Sequence, residues 1–480
     1  MESVFIKIRN MPKGAKASLA YVIASLITQG FNFLATPIYT RILTTADMGV
    51  VSSYSTYSSV IGTIVGLGLV SGSFSIGMKE YPDKREQYTS SVFTLNIISA
   101  AIFFVLFFII KDSFSRWMGL GTEYLLLMCL GFMLNPGKSM WFAKNRYELK
   151  YKASVFVTII SSFLTILISV YEILKYRENP AADLALVRLV SAAVVTLSFS
   201  IVIDLYILLK GKQLINLTYW KVALGTSIPL MIHSLAKVIF DSSDRIMILK
   251  MVGKSEVGIY GTLYIFSSIS LILWQAINGS LVPFIFVNIQ NRNYSAIRRV
   301  CNSMLLIYAT ACISLMLIAP DVVKFMTTKE YLQGIYIMPP VAAGIFFTAL
   351  YNMYSTVILY YKKTKYIMYG TCICAAVNII LNYVMIRRFG YMAAAYTTLF
   401  SFILLSIIQY IFMLIVSEEP DFYDERSFLG LSLVILLFSL IANVLYSNDL
   451  VRYIIIALLL LLLLINYKKI IIAIKKIQEG

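Results

Sequence analysis

The chain has 480 residues, 59% of them hydrophobic and only 14% charged, with a mean hydropathy of +0.80. Soluble domains carry about 25% charged residues, so a water-soluble fold is excluded; an outer-membrane barrel would show short segments of alternating polarity instead of long apolar runs. The net charge of +17 would point to nucleic acid in a soluble chain, but here it reads as basic loops facing anionic lipid.

A basic head carries Lys7, Arg9, Lys13 and Lys16. Apolar stretches of about 20 residues then recur to the end of the chain, each long enough to cross the hydrocarbon core. Span 1 covers 17–43, with a bend expected at Pro37, and span 2 covers 47–77 and is rich in Ser and Tyr. The next spans are placed at 88–110, 121–143, 153–174 and 183–209, followed by span 7 at 222–252 and span 8 at 256–286. Spans 9 to 12 lie at 300–320, 333–360, 366–386 and 391–416. Spans 13 and 14, at 428–446 and 451–467, precede a basic amphipathic tail. The expected fold class is an all-α polytopic membrane protein of about 14 transmembrane helices. Its expected divisions are 1–210, 211–417 and 418–480. The first apolar stretch is too long for a cleaved leader and is read as a membrane helix.

The loops set an expected orientation. The head, the even-to-odd loops and the tail hold 25 of the 41 Lys and Arg residues, while the opposite loops hold 12. This bias puts both termini in the cytoplasm. The weak cytoplasmic connection is the acidic loop containing Glu418, Glu419, Asp421 and Glu425. The remaining four cations, Lys138, Arg188, Lys237 and Arg245, lie within spans. The five cysteines fall in apolar segments without zinc or redox spacing and read as small buried hydrophobes. No phosphate loop, metal cluster or nucleophile motif is present, so neither a cofactor nor catalysis is expected.

Span 7 breaks the apolar pattern. Lys237, Asp241, Asp244 and Arg245 follow an i, i+4, i+7, i+8 spacing, which puts all four within about 100° of one helix face. A charge at the bilayer centre costs about 3 kcal/mol or more unless it is paired or wet. The stripe therefore faces either a polar cavity or a protein partner. The bland alternative is a self-satisfied network, since the four charges sum to zero and Asp241 is four residues from both Lys237 and Arg245. Arg188 in span 6 is a further cationic candidate. The hydroxyl-rich run Ser52–Ser59, with Ser55 and Tyr57, offers groups that could line a sugar site, although Ser and Thr also permit close helix packing.

Sliding the chain by 209 positions lays spans 1–2 on spans 7–8 without a gap. Ile23 then meets Ile232, Phe31 meets Phe240, Gly49 meets Gly258 and Ser58 meets Ser267; Asn32 falls on Asp241. Six spans fit in one period, so the two copies have the same orientation, an arrangement of transporters whose site lies between the repeats.

Two stretches carry a family resemblance. The run from Pro37 through Tyr39, Thr40, Arg41 and Asp47 to Gly49 resembles the end of helix 1 in Wzx-type polysaccharide flippases. The run from Asp244 and Arg245 through Gly253, Lys254, Glu256 and Gly258 to Gly261 resembles the matching stretch of the second half, and Asn278 to Pro283 fits as well. These motifs are similar to those of the multidrug/oligosaccharidyl-lipid/polysaccharide exporter superfamily. The resemblance implies two six-helix lobes in a V around a central cavity, alternating access, and a C-terminal helix pair as in members that handle lipid-linked substrates. It implies a flippase for undecaprenyl-pyrophosphate-type oligosaccharides in a bacterial cytoplasmic membrane, serving surface polysaccharide assembly beside a polymerase, with H+ or Na+ coupling open. The candidate cavity residues are Arg245, Lys237, Asp241, Asp244, Arg188, Asn32, Ser55 and Tyr57. A cation-coupled drug exporter of the same superfamily is the alternative, weakened because span 1 lacks an acid. A membrane polymerase or glycosyltransferase is a third reading, weakened by the short loops.

Overall fold

The computed structural model describes residues 12–70, 73–417 and 422–467. The head through residue 11, residues 71 and 72 of span 2, the acids within 418–421 and the basic tail from 468 lie outside the described residues. The described residues form helices and no strand. In order they are α1 Lys13–Ile42, α2 Thr45–Val65, α3 Ser73–Glu80, α4 Arg85–Ile109, α5 Lys111–Met118, α6 Thr122–Tyr147, α7 Tyr151–Tyr176, α8 Leu184–Gly211 and α9 Leu217–Met251. There follow α10 Lys254–Ser267, α11 Ser270–Gln290, α12 Tyr294–Met326, α13 Met338–Tyr360, α14 Thr364–Phe389, α15 Ala393–Val416, α16 Glu425–Leu445 and α17 Asp449–Ile465.

Among the described residues, 11 helices are long and apolar enough to cross a membrane, or 12 if α5 and α6, bent by 101°, count as one. The expected 14 are not reproduced, for physical reasons. The helix α2 is diluted by Ser, Thr and Tyr. The 17 residues of α17 reach only about 26 Å at 1.5 Å per residue, short of the roughly 30 Å core. Large apolar side chains lie exposed along the outer faces, such as Leu34, Ile109, Leu209 and Val444. Water would not tolerate so much exposed apolar surface, whereas lipid does, and helices satisfy their own backbone groups there. The protein is a multi-pass membrane protein.

The chain packs as two compact units, Met1–Ile239 and Phe240–Gly480. In the first unit α1 packs on α7, α7 on α8, α8 on α6 and α6 on α4. Its core gathers Phe74, Met78, Tyr88, Val92, Phe93, Met140 and Ile207. At one end of this unit Glu86 of α4 bridges Lys144 of α6 and, at 3.1 Å, Lys210 of α8. In the second unit α13 is the central post, held by α12, α15 and α16.

The expected single span 2 is broken. It stops at Val65, turns through Gly66–Val70 and resumes as α3. Leu67 and Gly68 take left-handed backbone angles of φ 52° and 63°. A Cβ on Gly68 would come within 2.9 Å of Met231 Cβ, so glycine serves both the turn and the approach of α9. Span 8 likewise divides into α10 and α11, and span 10 begins as a 3-10 turn, Lys329–Ile337, before α13. Pro339 and Pro340 fill the first positions of α13, where a missing N–H costs nothing.

The 209-residue spacing reappears in the helix boundaries. The helices α2, α4 and α8 begin at Thr45, Arg85 and Leu184, and α10, α12 and α15 begin 209 positions later at Lys254, Tyr294 and Ala393. Ile42 and Met251, which end α1 and α9, keep the same spacing.

Two proline kinks are closed by side chains from other helices. Pro136 in α6 removes the N–H that would bond Phe132 O, and Asn96 of α4 donates to that carbonyl at 3.3 Å. Pro320 in α12 strips Met316 O in the same way, and the Tyr446 hydroxyl donates to it at 3.0 Å. Beside that kink Arg452 of α17 is fully buried. Its Nη1 donates to Leu317 O at 2.7 Å and to Asp321 at 2.9 Å, and its Nη2 pairs with Asp449.

Candidate functional site

A cavity of about 630 Å³ opens within the first unit, inside the roughly 300–1,000 Å³ range of small-ligand sites. Helix periodicity explains which residues reach it. Tyr54, Ser58, Gly62 and Gly66 recur every four residues, with Ser59 and Thr63 alongside, so α2 offers one continuous face. The helix α6 adds Met128, Gly131, Phe132, Asn135 and Ser139 at the same kind of spacing; α4 adds Asn96, α8 adds Ala193 and Thr196, and α9 adds Val238. None of the lining residues is charged.

The hydrogen bonds leave this wall rich in acceptors. Ser59 and Thr63 donate their hydroxyl protons back to Ser55 O and Ser59 O, both at 2.8 Å. Their lone pairs remain for a ligand. Ser139 donates to Asn135 O, and Ser200 to Asn135 Oδ1, both at 3.2 Å. Tyr54 and Phe132 add aromatic faces. Such a surface suits a neutral, hydroxyl-rich ligand whose O–H groups donate and whose ring faces stack. It offers no counter-charge to an anion.

The residues singled out in the sequence fall elsewhere. Ser55 is exposed and donates to Val51 O at 2.9 Å. Tyr57, about 100° round the helix from Ser58, is buried with its ring 5.6 Å from that of Trp117. Arg188 stacks its guanidinium 3.8 Å over the Tyr39 ring and donates to Met48 Sδ at 3.0 Å. Asn32 is exposed. Lys237 is exposed, on the part of α9 that belongs to the first unit.

The other stripe residues belong to the second unit. Asp244 is 3% exposed. Its Oδ2 accepts from the Tyr260 hydroxyl at 2.6 Å and its Oδ1 from the Arg245 backbone N–H at 2.8 Å. Arg245 donates from Nη1 to Asp241 O at 3.2 Å and lies 4.7 Å over the Tyr264 ring. Asp241 is half-buried and engaged. Next to this set Ser243 donates to Asn378 at 3.0 Å, Asn378 to Ser401 at 3.2 Å and Asn382 to Asn378 at 3.0 Å. This network ties α9 to α14 and α15. Among the described residues no three His, Cys, Asp or Glu side chains gather to hold a metal ion.

The sequence model of a family described as polysaccharide biosynthesis protein matches residues 15–290, more than half of the chain. The chain belongs to this family. A second model, MatE, matches residues 229–384, and both place this polysaccharide biosynthesis protein in the multidrug/oligosaccharidyl-lipid/polysaccharide exporter superfamily. It is 19% identical over 404 residues to the probable low-salt glycan biosynthesis flippase Agl15 of Haloferax volcanii, covering 81% of each chain. Its fold is similar to that of the lipid II flippase MurJ in an inward closed conformation. The TM-score there is 0.69 at 13% identity, over 93% of this chain and 98% of the other. An inward-facing multidrug MATE transporter gives a TM-score of 0.60 at 14% identity, over 82% of this family member and 97% of the transporter.

The cavity-facing asparagines escaped sequence reasoning. Their signal was present, because Asn135-Pro136-Gly137 is an unusual polar break inside an apolar span, and broken helices mark binding sites in transporters.

Proposed function

We propose that this chain is a flippase that carries an oligosaccharide linked to a polyprenyl diphosphate of the undecaprenyl type across a bacterial cytoplasmic membrane by alternating access. In this reading the sugars occupy the uncharged cavity of the first unit, and the product feeds a surface-polysaccharide polymerase. The observation that carries it is the lining itself, which offers hydroxyl and amide acceptors and two aromatic faces but no charge. Support comes from the names of its relatives, a glycan biosynthesis flippase and a lipid II flippase. Arg245 of the second unit, with Asp241 and Asp244 beside it, is a candidate to meet the diphosphate; Lys237, Arg188 and Asn32 of the first unit are candidates on their own side. Of the five N–H donors of Arg245, one is given to the Asp241 carbonyl, and a guanidinium can grip phosphate through two bonds.

The match of residues 229–384 to MatE favours a second reading as a drug exporter, and one experiment separates the two. In cells whose surface polysaccharide depends on this chain, Ser59→Trp fills the cavity and abolishes surface display at normal membrane abundance. Leu209→Trp, on an exposed outer position, keeps display. Arg245→Ala also abolishes display, and Arg245→Lys keeps part of it. If Ser59→Trp displays polysaccharide like the wild type, the cavity is not the sugar site. If deleting the chain leaves the polysaccharide intact and raises sensitivity to cationic drugs, the exporter reading replaces this one.

A further inference from the structure

One ionisable group near the cavity has no place in the sugar-binding reading. Asp204 of α8 is 5% exposed, and neither carboxylate oxygen carries a hydrogen bond. It is packed against the backbone of α6, where a Cβ on Gly137 would overlap Asp204 Oδ1 and come within 2.9 Å of Phe93. Glycine at 137 is thus the seat for this side chain.

The location matters. Gly137 and Lys138 lie between Pro136 and Ser139, both in the cavity wall. One turn before Asp204, Ser200 bonds the cavity-lining Asn135. The carboxyl group is therefore about 6 Å along α8 from a residue joined to the cavity wall.

The charges around it are few among the described residues. The one that acts on Asp204 is Lys138 of α6. Further along, Glu86 of α4 is paired with both Lys144 of α6 and Lys210 of α8. The helix α4 otherwise presents Phe93, and neither α7 nor α2 adds a charge that acts on the group. An ionised carboxylate out of water needs a partner or several hydrogen bonds, and this seat supplies neither. The neutral acid fits it as it stands.

We propose that Asp204 is a proton-binding site in the wall of the first unit. Neutral, it sits on Gly137. When the proton leaves for water, the carboxylate draws in the Lys138 ammonium or water, and the α6–α8 contact beside the cavity changes. The proton is then a second ligand of the unit, separate from the sugar, and its gradient is available as a driving force.

The test needs no transported substrate, so its outcome is independent of the flippase reading. The full chain is placed in lipid vesicles, and infrared difference spectra are recorded while pH is stepped from acid to alkaline. The expected result is a protonated-carboxyl C=O band at neutral pH that disappears on alkalinisation and is lost in Asp204→Asn. Asp321→Asn, altering a carboxylate paired with Arg452, keeps the band. Lys138→Met, which removes the one acting charge, makes the band larger at a given pH. A neutral-pH band that persists unchanged in Asp204→Asn overturns the proposal, as does a wild-type chain without one. A titration unaffected by Lys138→Met overturns the Lys138 exchange.

Discussion

The bond between Tyr260 and Asp244 decides what the charged stripe on α9 is for, and Tyr260→Phe removes it without changing the shape of the core. The wild-type hydroxyl donates to Asp244 Oδ2 at 2.6 Å, inside a site where the carboxylate is almost fully enclosed. The variant leaves Asp244 with the Arg245 backbone N–H at 2.8 Å as its remaining hydrogen bond. A hydrogen bond to a charged group contributes about 1.5–3 kcal/mol. For a unit of this size each kcal/mol shifts the melting temperature by about 2–4 °C, so the expected loss is about 3–12 °C. The assay is thermal unfolding of the purified chain followed by tryptophan fluorescence, with Trp274 a buried reporter in the same unit. Asp244→Asn should cost a similar amount, because its amide oxygen can accept from Tyr260 but its NH2 then faces the Arg245 N–H that bonded Oδ1. An unchanged melting temperature in Tyr260→Phe would refute the view that Asp244 locks α9 to α10. A loss of transport without loss of stability would make Asp244 a working ligand instead.

Two other outcomes are expected. Asn96→Leu strands Phe132 O at the Pro136 kink and should destabilise by about 1–3 kcal/mol; with Pro136→Ala, which restores a backbone donor, the cost should shrink. A double-mutant cycle measures this, and strict additivity would sink the account. Reporter fusions at Glu479 and after Lys84 should both report cytoplasm and one after Lys329 the outside, as the 25 to 12 bias of basic residues requires; an outside signal at Glu479 contradicts that topology.

The apolar runs made most helices legible, because in lipid the length of a run is itself the signal. The 209-residue repeat was legible too, and it fixes the starts of α10, α12 and α15 from those of α2, α4 and α8. Apolar content alone could not show the breaks at Gly66–Gly68 and at Ser268, since it stays high across both. The site was harder to read. The hydroxyl run on α2 was visible, but only the helix phase selects Ser58 and Ser59 for the cavity and turns Tyr57 against Trp117. The signal for Asp204 is an acid well inside span 6, as informative as the cations within the spans. The pairing of Asp244 with Tyr260 joins two helices across a loop, which local spacing does not reveal.

The kink at Pro320 bears on how the chain is made. Two carbonyls of α12, Met316 O and Leu317 O, receive their donors from Tyr446 and Arg452, more than a hundred residues nearer the C-terminus. Lipid cannot supply those donors. While the ribosome is still synthesising α13 to α16, Met316 O and Leu317 O of α12 wait in the bilayer for these donors, and Tyr446 and then Arg452 bring them. A chain terminated before Tyr446 therefore leaves both carbonyls without these donors, a polar defect that lipid does not repair.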